Sequence, residues 1–257
     1  MEPGLARDAL TLVLGVLTGV LSASFGVGGA VLSTPGVRLL GASALEAVGT
    51  TLPSILPSAI SGTARYAQER LVDWRVVVAT APPGVGGAVA GSLLSERVPG
   101  EGHWLMVATA VILGYTAVRL VQEPRGLRTE RTRVPAPVLA VVGVAAGMLS
   151  GLLGVGGGTI LLPAFLQFLR MPTKEAVATS LACVGILALP STVTHAILGT
   201  IDWRFAVLLA AGVIPGARLG AALAIRAEAR RLRLAVAAVL GVLAVVYGIS
   251  EVRSALG

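Results

Sequence analysis

The sequence predicts an all-α polytopic membrane protein. It is built from two inverted-topology repeats, each a glycine-broken helix pair, spanning or re-entrant, plus three transmembrane helices. Three observations predict this. Hydrophobic residues make up 55% of the 257 positions and charged residues only 13%, where a soluble domain carries about 25% charge. Mean hydropathy is +0.86, and several apolar stretches approach the ~20 residues that cross a bilayer. The chain also superposes on itself. An offset of 128 lays Gly15, Gly19, Leu21-Ser22 and Gly26-Val27-Gly28-Gly29 on Gly143, Gly147, Leu149-Ser150 and Gly154-Val155-Gly156-Gly157. An offset of 129 then lays Glu46-Ala47-Val48, Thr50 and Asp73-Trp74-Arg75 on Glu175-Ala176-Val177, Thr179 and Asp202-Trp203-Arg204. Internal repeats of this kind decide the reading of a fold before any single element does.

Each half opens with apolar sequence interrupted by glycine: 9–25 with 28–39, and 137–153 with 157–169. A helix interior loses roughly 1 kcal/mol for each Gly in place of Ala, so runs this dense stop a helix. In lipid the freed backbone groups must be satisfied by protein or a wet cavity. Each member of the pair is short for a full crossing. A polar-flecked helix follows at 45–64 and 174–197, then a long helix at 74–95 and 203–225, then a closing helix at 104–121 and 232–250. Segment 122–135 is the only long polar stretch. The halves are therefore 1–121 and 136–257, joined by a linker at 122–135.

Orientation follows the basic residues of the connections. The linker with Arg119, the stretch 65–75, the stretch 226–233 and the approach Arg170 to Lys174 all carry clustered basic residues and are placed on the cytoplasmic side. Only Arg7, Arg38, Arg97, Arg204 and Arg253 fall opposite, which puts both termini outside. An odd number of crossings in each half inverts the halves relative to each other. The chain is expected in the inner or plasma membrane of the cell as a multi-pass protein. The N-terminus carries Glu2, Arg7 and Asp8 rather than a positive n-region, so a cleaved signal peptide is not expected.

The net charge of +7 is explained by topology and does not call for nucleic acid. Cys183 is the only cysteine, which excludes an internal disulfide and any multi-cysteine metal site. His103 and His195 are too far apart in sequence to suggest a metal cluster or a Ser-His-Asp constellation. No catalytic residues, metal or cofactor are expected, and no phosphate-cradling nucleotide loop is present.

The glycines spaced by four, such as Gly15/Gly19 and Gly212/Gly216/Gly220, fit close helix packing. The denser runs fit a binding site. The half-helix after each break starts with amides lacking an intrahelical partner, at the positive end of its dipole, and that favours an anion. Two breaks in matching positions are a plan of secondary transporters. Gly28, Gly29, Gly156, Gly157 and Gly158 are the backbone candidates. Thr50, Thr51, Thr179 and Ser180 follow one helix later; their hydroxyls either donate to an oxyanion or bond back to the carbonyl one turn earlier. Arg218 is the one basic residue well inside an apolar helix. A charge there costs at least ~2.5 kcal/mol, so it is expected to face the bundle interior or water and to bind the anion or pair structurally. Ser43-x-x-Glu46 reads as a capping box, and Thr173 reads as the cap of its helix. Asp73 and Asp202 read as N-caps with Trp74 and Trp203 as interface anchors.

The run Gly147-Met148-Leu149-Ser150-Gly151-Leu152-Leu153-Gly154-Val155-Gly156-Gly157-Gly158, then Pro163, then Glu175-Ala176-Val177-Ala178-Thr179-Ser180, resembles the TauE/SafE family of membrane anion exporters. The degenerate first copy and the Asp-Trp-Arg segments add to it, over nearly the whole chain. First-half departures are Ala30 against Gly158 and Thr51 against Ser180. The resemblance implies a secondary carrier exporting small anions such as sulfite, sulfonates or sulfoacetate. Alternating access would place the anion at the repeat interface; the alternative is a passive anion channel of the same fold. The expected partners are the small anion, the lipid bilayer, and a proton or no ion for coupling. The sequence carries no signal for an oligomeric state.

Overall fold

The computed structural model describes residues 4–95, 134–154 and 156–256, with individual positions between 107 and 122. Among them there is helix and no strand. The helices are α1 (Leu5–Phe25), α2 (Ala30–Leu39), α3 (Ala44–Gln68), α4 (Trp74–Ser95), α5 (Ala136–Leu153), α6 (Gly158–Gln167), α7 (Thr173–Ile197), α8 (Trp203–Arg226) and α9 (Ala229–Leu256). By length and apolar composition α1, α4, α5, α7 and α8 can each cross a bilayer. The expected helix 104–121 lies largely outside the described residues, and the positions of it that are described are helical.

Both glycine runs do interrupt their helices. One expectation about them changes: the first member of each pair is full length. α1 has 21 residues, about 31 Å at 1.5 Å per residue. Only α2 and α6 are short, with 10 residues each, about 15 Å. α3 also runs past the expected residue 64, because Arg65 bridges Glu69 at 2.9 Å and donates to Gln68 at 3.2 Å in its last turn. The capping box at its start is present, with Glu46 N–H donating to Ser43 Oγ and Ser43 N–H donating to Glu46 Oε2. Thr173 does not cap α7. Pro172 occupies the N-cap position without a side-chain bond, and Thr173 is already helical.

The closest helix pairs join opposite halves: α1 lies along α8, and α4 along α5. Glycine makes both seams. A Cβ on Gly15 or Gly19 would strike the backbone of Leu209 or Val213, and one on Gly212, Gly216 or Gly220 would strike Leu12, Val16 or Val20. In the other seam Gly143, Gly147 and Gly151 meet Thr80, Gly84 and Ala88, while Gly87 and Gly91 meet Val144 and Met148. The second set is the first shifted by the sequence offsets. In lipid such close backbone approach replaces the hydrophobic effect as the source of helix association.

Register gives direction. Along α1 and α8 the paired numbers rise together, as they do along α4 and α5, so each pair is parallel. α3 and α7 cross in the core with falling register, Gly62 against Leu181 and Gly185 against Ala59, and are antiparallel. Thr50 against Asp202 and, further along, Ser61 against Ile214 set α3 parallel to α8, and Asp73 against Thr179 with Gly84 against Leu187 set α4 parallel to α7. Thus α1, α3 and α8 run one way and α4, α5 and α7 the other.

α1 begins and α2 ends at the same end of the bundle. There Asp8 bridges Arg204 at 2.7 Å, Arg7 stacks over Phe205, and Val37 and Leu40 pack on Phe205. The opposite end carries Arg65, Arg70 and Arg75, the start of α7 and the end of α8, where Lys174 Nζ donates to the Ile225 carbonyl.

Candidate functional site

The two breaks meet in the middle of the molecule. α1 ends at Gly26, whose N–H donates to Ser22 O at 2.8 Å with φ +64°, and Gly28 follows at φ +87°. α5 ends at Gly154, whose N–H donates to Ser150 O at 3.0 Å with φ +65°, and Gly156 follows at φ +84°. These left-handed angles are the ones only glycine adopts without cost. Gly156 faces the Cα of Gly28 and lies between Ile55 at the middle of α3 and Val184 at the middle of α7. Gly158 lies so close to Val27 and Gly26 that a Cβ would sit 2.5 Å from the Val27 carbonyl carbon. The first turns of α2 and α6 therefore start from one buried junction. Among the described residues, the amides of Gly28, Gly29, Ala30, Gly156, Gly157 and Gly158 make no hydrogen bond.

Gly28, Gly29, Gly156, Gly157 and Gly158 are thus brought together, and all are buried. Thr51 and Ser180 are fully buried beside them, while Thr50 and Thr179, equally buried, lie about 200° around their helices from Val48 and Val177, which meet the breaks. Thr50 Oγ1 accepts from the Asp202 amide at 2.8 Å, and Thr179 Oγ1 accepts from the Asp73 amide at 3.0 Å. Each hydroxyl supports the opposite half and keeps a proton to donate. The aspartates then cap their helices, Asp202 Oδ1 accepting from Arg204 and Phe205 amides and Asp73 Oδ1 from Arg75 and Val76. Ser180 Oγ donates to Gly26 O at 2.7 Å, closing the exposed carbonyl of the first break. Thr51 Oγ1 takes the local alternative, donating to Val48 O at 3.1 Å and meeting Thr34 Oγ1.

Arg218 does not join the junction. Gly212, Gly216 and Gly220 turn one face of α8 toward α1, and two residues past Gly216 is about 200° around the helix. Arg218 is accordingly exposed, in a groove with α3. His195 is a buried packing group, with Nδ1 2.8 Å from Thr200 Oγ1 and Nε2 donating to Gly151 O at 3.1 Å.

Ser22 and Ser150 are the residues that sequence reasoning passed over. They are repeat equivalents, one turn before each break, almost fully buried, and their hydroxyls have no partner. Ser22 Cβ lies 3.3 Å from where a Gly29 Cβ would be, so it borders the start of α2. The matched Leu-Ser pairs were the available signal.

The model of the sulfite exporter TauE/SafE family matches residues 11–247. The chain belongs to that family. Its relatives include a probable membrane transporter protein, YunE, of Bacillus subtilis (strain 168), 27% identical over 83% of this chain and 87% of that protein. A probable membrane transporter protein of Xylella fastidiosa (strain 9a5c) is 28% identical over 86% and 87%. MJ0441 of Methanocaldococcus jannaschii, also a probable membrane transporter, is 22% identical over 91% and 92%. No solved structure matches. TauE/SafE membership and these relatives indicate a membrane transporter, with a bilayer environment, a multi-pass chain and a small anion as substrate.

Proposed function

We propose that this chain is a secondary transporter that exports small anions of the sulfite, sulfonate or sulfoacetate class across the cell membrane. The anion sits between the two breaks. The observation that carries this reading is the shared junction: two short helices start there with unbonded amides, Ser22 borders it with an unpartnered buried hydroxyl, and its equivalent Ser150 carries another one turn before the second break. Among the described residues no Lys or Arg is buried. The donors are therefore neutral amides and hydroxyls at positive helix ends, which suit a compact anion that must also be released. Gly28, Gly29, Gly156, Gly157 and Gly158 supply amides. Thr50 and Thr179 tie down the starts of α8 and α4 from the far faces of α3 and α7, and Thr51 and Ser180 shape the walls.

Transport proceeds by rocking the unit 1–121 against 136–257 about the junction, with 122–135 as a cytoplasmic tether and both termini outside. Opposite helix directions in the two halves, and arginines gathered at one end of the bundle, support that inverted arrangement. The coupling ion is a proton or none.

The test is a thermal-shift panel on detergent-purified protein with sulfite, sulfate, thiosulfate, sulfoacetate, lactate and chloride, followed by counterflow in vesicles. A ligand bound only to the folded form raises the midpoint. Sulfite or an organosulfonate is expected to raise it and to accelerate exchange when loaded on the far side. No shift with any anion ends the proposal; a shift without accelerated exchange makes the protein a passive channel.

A further inference from the structure

Arg218 stands in the outward stripe of α8, among Val207, Ile214, Leu219 and Leu223, which are 42–63% exposed. Such a stripe faces lipid. A guanidinium there carries a cost that is relieved only by a counter-charge or by reaching the interface. Among the described residues Arg218 has no ion-pair or hydrogen-bond partner.

The neighbouring helix supplies a second cation at the same level. Ser61 Oγ donates to Ile214 O at 3.2 Å, and α3 and α8 run parallel. One turn further along each helix come Arg65 and Arg218, side by side across the groove. The groove has a volume of about 740 Å³ and is walled by Pro57, Ile60 and Ile214 below the arginines and by Leu219 beside them. Arg65 is shared with Glu69, so one full positive charge remains between the helices. Arg218 lies eight residues, about 12 Å, from the end of α8, and the groove extends to Gln68 at the end of α3, the end of the bundle where the other arginines gather. Two cations above an apolar trough complement a molecule with an anionic head and a hydrocarbon tail. The repeat-equivalent positions are Val89 and Thr194, so the opposite groove has no such charge.

We propose that the groove between α3 and α8 binds an anionic phospholipid, its phosphate held between Arg65 and Arg218 and an acyl chain lying on Ile60, Ile214 and Leu219. This stands on the fold alone and not on the transport reading.

The test uses the full chain in neutral detergent titrated with phosphatidylglycerol or phosphatidylcholine, read by thermal midpoint and by native mass spectrometry of retained lipid. Phosphatidylglycerol is expected to be retained preferentially, and Arg218→Gln to weaken it about fivefold, the effect of one arginine near an anionic surface. Arg218→Lys should keep most of the preference. A photoreactive phosphatidylglycerol on the wild-type protein, which needs no variant to fold, should label 57–68 or 214–219. Equal retention of both lipids, unchanged preference in Arg218→Gln, or label confined elsewhere would overturn the proposal. So would competition by millimolar sulfite, which would make the groove a substrate site, or an Arg218-dependent dimer, which would make it a self-association face.

Discussion

In the first break Gly29 leads into α2 with φ −68°, whereas its equivalent Gly157 leads into α6 with φ +68°. The next residue feels the difference. Ala30 is accommodated with its methyl fully buried, while Gly158 is pressed against Val27 and Gly26 with no room for one. The hydroxyls differ too. Ser180 reaches across to tie the carbonyl of Gly26, but Thr51, its equivalent, bonds back to Val48 and leaves Gly154 without that tie. The duplicated scaffold therefore carries two unequal half-sites: the first break is stitched to the opposite half, and the second is wedged against the first.

The largest expected effect follows from the wedge. Gly158→Ala should lower stability by about 1–3 kcal/mol or more through overpacking, with transport lost. Ala30→Gly should cost about 1 kcal/mol at most. Thermal midpoints of the two variants decide this, and equal losses would erase the asymmetry. Next is the stitch. Ser180→Ala leaves the buried Gly26 carbonyl unpaired and should cost about 1–3 kcal/mol, clearly more than Thr51→Ala, measured by chemical unfolding in detergent.

A smaller, balanced pair tests what the halves share. Thr50→Val and Thr179→Val each remove the acceptor for an aspartate amide and should cost about 1 kcal/mol apiece. Strongly different values would show that the two crosswise bonds are not equivalent. The smallest stability effect is expected from Ser22→Ala and Ser150→Ala, which delete hydroxyls without partners and should stay within about 0.5 kcal/mol of the parent. The same variants should weaken anion binding five- to tenfold, about 1 kcal/mol, read by isothermal titration. Unchanged affinity would remove both serines from the site.

Much of this was legible because its causes are local. Dense glycine stops a helix wherever it occurs, Asp before Trp-Arg caps the helix that follows, and Ser43-x-x-Glu46 closes on itself within one turn. What escaped the sequence depends on distant partners. Thr50 and Asp202 are 152 residues apart, and Thr179 and Asp73 are 106 apart. The direction of Arg218 was within reach, since Gly216 fixes the buried face of α8, but its cost in lipid suggested an inward position. One turn of the repeat was also concealed by side-chain identity. Arg70 at φ +56° matches Gly199 at φ +70°, and Arg170 at φ +51° matches Gly41 at φ +106°. The backbone repeats although an arginine replaces the glycine that would signal it.

The parallel seams have a further consequence. α1 finds its groove on α8 and α5 finds its groove on α4, so each half leaves its opening helix to be clasped by the other. Neither half is expected to mature alone. A chain severed between residues 122 and 135 should yield two fragments that are degraded when made singly and interlock into a working molecule when made together.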